Sequence, residues 1–103
     1  NEAIKSLEKL SVDDNIVIIG MVRYQLAHLL LLQDEVVSAQ EMVLAIPEES
    51  PYGVLGLIMW SEIEDRINQN ISNAIDGYLK FLENYPNSIY YDDIRLRLRK
   101  LAS

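Results

Sequence analysis

Apolar residues along this chain recur at helical spacing far more often than they alternate. In the last segment Tyr91, Ile94, Leu98 and Leu101 fall three, four and three residues apart and form one stripe of a helix. Arg95-Leu96-Arg97-Leu98-Arg99 alternates as a strand would, but the helical stripe accounts for more positions and leaves only Leu96 off it. Four glycines and three prolines interrupt the pattern, and no Asn-Gly or Asp-Gly hairpin signal is present. The pattern predicts helices over 2–10, 15–32, 35–46, 51–68, 71–84 and 88–102, with no strand. Pro47 and Pro51 bracket a short loop, with Ser50 expected as helix cap and Pro51 at the first helical position; Pro86-Asn87-Ser88 repeats that grammar. Asp92 and Asp93 then open the final helix and its basic residues close it, as the helix dipole favours.

The pattern also repeats. Ala3, Ala39 and Ala74 are separated by 36 and 35 residues. Four residues beyond them stand Leu7, Val43 and Tyr78, and seven beyond stand Leu10, Ile46 and Phe81. Gly20 and Gly56 lie 36 apart, as do Tyr24 and Trp60. Small residues at this interval suit antiparallel helices packed at about 8–10 Å, with larger side chains filling the space one turn away. Ala27, twelve residues before Ala39, supplies the small residue of the partner helix. In the next pair Glu62 stands twelve before Ala74 and Ser61 thirteen before, which predicts a turn one residue longer around Asn68 to Asn70.

The segment Asn73-Ala74-Ile75-Asp76-Gly77-Tyr78-Leu79-Lys80-Phe81-Leu82-Glu83-Asn84-Tyr85-Pro86-Asn87-Ser88 resembles the second helix of a tetratricopeptide repeat of the bacterial cell-envelope type. Tyr90 to Leu98 is similar to the start of the next helix in that family. The family's small residues correspond to Ala27, Ala39 and Ala74, its terminating proline to Pro86, and its remaining glycine to Glu62 or Ser61. The resemblance implies an all-α fold of antiparallel hairpins stacked as a solenoid: a partial repeat over 1–14, repeats over 15–50 and 51–87, and a C-terminal capping helix over 88–103. A half-hairpin cannot bury both of its faces, so the chain is expected to be the C-terminal end of a longer array, with an open N-terminal edge through which copies could self-associate. A periplasmic or outer-membrane-associated location in bacteria is the corresponding expectation.

Composition narrows the chemistry. The chain has 103 residues, no cysteine and one histidine, which excludes a disulfide scaffold and a thiolate zinc site. Its formal charge of −7 disfavours nucleic acid as a partner. The charge is uneven, because Arg95, Arg97, Arg99 and Lys100 form a wholly basic tail while residues 1–94 hold five basic and all sixteen acidic side chains. Ile16 to Leu32 is apolar enough to suggest a membrane span, but Gly20, Arg23, Gln25 and His28 interrupt it, and it is read as a buried helix.

The acids Asp13-Asp14, Glu48-Glu49, Asp92-Asp93 and Glu62, Glu64, Asp65 match neither a catalytic pair nor a calcium loop; they are read as solvated turns and helix-dipole partners. Arg95, Arg97 and Arg99 do not share a helix face and are read as solvating. His28 lacks a second ligand or a nucleophile, and Asn70-Ile71-Ser72 is a glycosylation triplet of low specificity. No catalytic residue, metal site or cofactor is expected. The expected function is a non-enzymatic scaffold binding a protein or peptide, with a structural spacer or end cap as the alternative. In the family the first helix of each hairpin lines a groove; this points to Tyr24 and His28 on one helix, and Met59, Glu62 and Arg66 on the next.

Overall fold

The computed structural model describes residues 12–103, which are helical with no strand among them. The helices are α1 (Val12–Leu32), α2 (Val36–Leu44), α3 (Tyr52–Glu62), α4 (Ile71–Asn84) and α5 (Tyr91–Ala102). A π-helical segment, Ile63–Ile67, continues directly from α3. The chain divides into two units after Gly56, within α3. The helix expected over 2–10, with Ala3, Leu7, Leu10 and the open N-terminal edge, lies outside the described residues.

In the first unit α1 packs against α2, and Ala27 and Ala39 are both fully buried. Val43 and Ile46, four and seven residues beyond Ala39, are buried as well. The turn between the helices is three residues long, and its middle residue, Asp34, adopts the left-handed conformation with φ 61°. The Asp34 amide donates to the Leu31 carbonyl at 3.0 Å and the Glu35 amide to the Leu30 carbonyl at 2.9 Å. These paired bonds satisfy carbonyls that the end of α1 would otherwise leave open.

The second unit repeats the arrangement with one change. Ser61 and Ala74 are fully buried, and so are Tyr78 and Phe81 at the same offsets from Ala74. Burial of side chains this large is worth roughly 1.5–3 kcal/mol each. Gly77 brings the backbone of α4 close to Ser61: a methyl group there would stand 3.0 Å from the Ser61 Cβ and overlap its hydroxyl. The turn is again three residues long, Asn68 to Asn70, with Gln69 left-handed at φ 56°. The extra residue expected in this turn is therefore in the helix instead. It widens the last turn of the helix into the π segment, where the Asn68 amide reaches the Ile63 carbonyl at 2.9 Å. Asn70 caps α4, its side chain accepting from the Asn73 amide at 3.1 Å.

Three local expectations are corrected. Ser50 does not cap a helix; its hydroxyl donates back to the Pro47 carbonyl at 2.9 Å, and α3 begins at Tyr52. Gly20 and Gly56 are not equivalent despite their spacing, since Gly20 abuts Ser50 and Tyr52 whereas Gly56 abuts Val43 and Ile46. The apolar stretch of α1 is not buried: only 11% of Asn15–Leu32 is, and by length and composition, at mean hydropathy 1.6, it could cross a membrane.

Candidate interaction surfaces and a buried polar latch

The first unit carries an aromatic cluster built by α1 and the start of α3. Tyr24 and His28 lie four apart on one face of α1, and their rings stack with centroids 6.1 Å apart. Tyr52 meets Tyr24 from α3 at 5.9 Å. Tyr24 is half-buried and His28 exposed, so the cluster has a supported base and an open rim. Beside it the Arg23 guanidinium donates to the Ala45 carbonyl, holding α1 to the end of α2. Val17, Leu26, Leu29 and Leu32 on α1 are exposed large apolar side chains.

The second unit places Glu62 and Arg66 at the surface but buries Met59, which is 8% exposed. Met59 is therefore a packing residue and offers little area for contact. After Glu62 the helix passes into the π segment, which interrupts its α-helical phase.

The same interruption accounts for what the sequence reading missed. Glu64 and Asp65 are buried, not solvated. The Asp65 side chain is wholly shielded and accepts three hydrogen bonds: from the Tyr78 hydroxyl at 2.8 Å, and from Arg97 Nε and Nη2 at 2.7 Å each. Arg97 thus leaves the basic tail to form a two-pronged ion pair, a geometry that suits a guanidinium against a carboxylate. The Arg97 hydrogen bonds hold the Asp65 carboxyl below its ordinary value of 3.8; burial opposes this, and the Tyr78 hydroxyl adds to the lowering. Burial, and then the bond to Asp65, pushes the Tyr78 phenol above its ordinary value.

Helical spacing held a signal that each side chain lies near the core, though none that the two meet. Asp65 stands four residues after the crossing residue Ser61, and Arg97 three after Ile94, so both share a turn-to-turn row with a buried neighbour. Glu48, Glu49, Asp92 and Asp93 are exposed, as their turn and helix-start positions suggest. Among the described residues no group of three or more His, Cys, Asp or Glu side chains is placed to hold a metal. Asp65 is engaged by Tyr78 of α4 and Arg97 of α5, and so ties the π segment to both helices. No family model, curated protein or solved structure matches this chain.

Proposed function

We propose that this chain is a helical-repeat scaffold of tetratricopeptide type that binds a protein or peptide and performs no covalent chemistry. The observation that carries the reading is the repeated burial register. Ala27, Ala39, Val43 and Ile46 in one unit correspond to Ser61, Ala74, Tyr78 and Phe81 in the other, all of them buried. Helix pairs built this way gain from stacking on one another, because each leaves apolar area uncovered. In the first unit the Tyr24, His28 and Tyr52 cluster supplies an aromatic anchor for a partner; in the second, Glu62 and Arg66 supply exposed charge of their own.

Capture by the immobilised chain tests this. Tyr24→Ala with His28→Ala, and separately Arg66→Glu, are expected to lower retention of a bound partner at least about tenfold, the weight of one well-buried anchor, with helicity unchanged. Equal retention by all variants would remove the surface from consideration. The alternative of a self-associating spacer is favoured by the exposed Val17, Leu26, Leu29 and Leu32. Sedimentation separates the two: concentration-dependent dimers abolished by Leu29→Glu support the spacer, and a monomer at every concentration supports the binding scaffold.

A further inference from the structure

We infer that α5 is a detachable strap, fastened by Arg97 into a guanidinium receptor that α4 and the π segment build without it. Within the second unit the apolar hold on this helix is thin. Ile94 is its one buried residue; Tyr91, Leu98 and Leu101 are half-buried. Leu96 is 54% exposed, and Ile89 and Tyr90 ahead of the helix are exposed too.

The connection into α5 is locally closed. The Ser88 amide donates to the Tyr85 carbonyl, the Tyr90 amide to the Ser88 hydroxyl and the Tyr91 amide to the Ser88 carbonyl, each at 3.1 Å. These bonds close on the connection itself and on the first residue of α5, and none of them ties α5 to α4 or to the π segment. The long-range polar tie is the pair of Arg97 bonds to Asp65.

The two sides of that tie differ in kind. Asp65 is shielded and held in place by the Tyr78 hydroxyl of α4, whereas the Arg97 side chain is 33% exposed and arrives from the strap. Receptor and key are thus separable. Opening α5 leaves the Tyr78–Asp65 bond intact and presents two carboxylate oxygens to an incoming guanidinium, for which such a fork is selective over a simple cation. Local opening of a helix with little buried apolar area is a low-energy excursion of a unit like this one.

Amide hydrogen exchange on the full chain tests the inference, resolved by segment. Arg97→Gln keeps the Tyr78–Asp65 bond and removes the key; Asp65→Asn alters the receptor. In Arg97→Gln, protection over Tyr91–Ala102 is expected to fall by about ten- to a hundredfold, the weight of hydrogen bonds to a charged group, while protection over Ile71–Asn84 stays within about threefold. Loss in step across both segments would make α5 an integral part of the unit, and no loss in either would leave the pair without a fastening role; each result overturns the strap. In the unmodified chain, sub-denaturing guanidinium chloride should open Tyr91–Ala102 more than urea of equal denaturing strength, judged by Ile71–Asn84, and this excess should vanish in Asp65→Asn. No excess, or one that persists in Asp65→Asn, would overturn the receptor.

Discussion

Ala39 and Ala74 mark the crossings of two helix pairs and are wholly buried. A leucine at either place has no room to occupy without moving a helix, so Ala39→Leu and Ala74→Leu are each expected to destabilise by about 1–3 kcal/mol, read from urea midpoints at unchanged slope. Silence at both positions would mean that the helices are not in close contact there. Asp65 makes a different demand. Its carboxyl is held below the unfolded value, so its contribution is present above pH 3.8 and is lost as pH falls through the lower, folded value. The Tyr78 phenol is shifted upward, so its contribution is present below its ordinary value of 10.0 and is lost as pH rises beyond that. Chemical denaturation between pH 2 and 7 should show a steeper acid loss in the unmodified chain than in Asp65→Asn; parallel profiles would show that the pair adds no pH-dependent stability.

The helices themselves were legible from spacing, because stripes such as Tyr91, Ile94, Leu98 and Leu101 follow a period no strand can satisfy. The π segment was not. An i to i+5 turn changes side-chain phase without altering composition, and only the one-residue excess between Ser61 and Ala74 hinted at it. That excess could equally lie in a longer turn, which was the natural reading. Both turns carry a non-glycine residue with positive φ, Asp34 and Gln69. Aspartate tolerates this conformation through local hydrogen bonding, whereas glutamine has no such compensation. Gln69→Gly should therefore raise stability by roughly 0.5–1 kcal/mol in equilibrium unfolding, the steric relief outweighing the added freedom of the unfolded chain. A loss of stability would show that the Gln69 side chain makes a contact worth more than its backbone strain.

Taken along its full length, the chain shows how far net charge and composition reach. They excluded zinc-thiolate and disulfide chemistry and weighed against nucleic acid, but could not distinguish a solvated acid from a buried one. Asp65 and Arg97 are 32 residues apart in sequence, and neither belongs to a motif. Their meeting depends on where a helix pair and the helix after it come to rest, which a one-dimensional pattern does not contain. The aromatic contacts of Tyr24 with His28 and Tyr52 were legible only in part: helical spacing joins the first two, but the bend between α2 and α3 brings in the third.

The widened helical turn before Asn68 also separates two properties that usually travel together, the number of residues in a helix and the direction its last side chains face. A shortened version of this protein, missing one position among Ile63–Ile67, could regain regular geometry and keep its three-residue connection to α4. It would do so with every later side chain of that helix rotated, and the carboxylate now gripping Arg97 would no longer point at it. Length variants in this stretch therefore change which partners the buried Ile63, Glu64 and Asp65 side chains can meet.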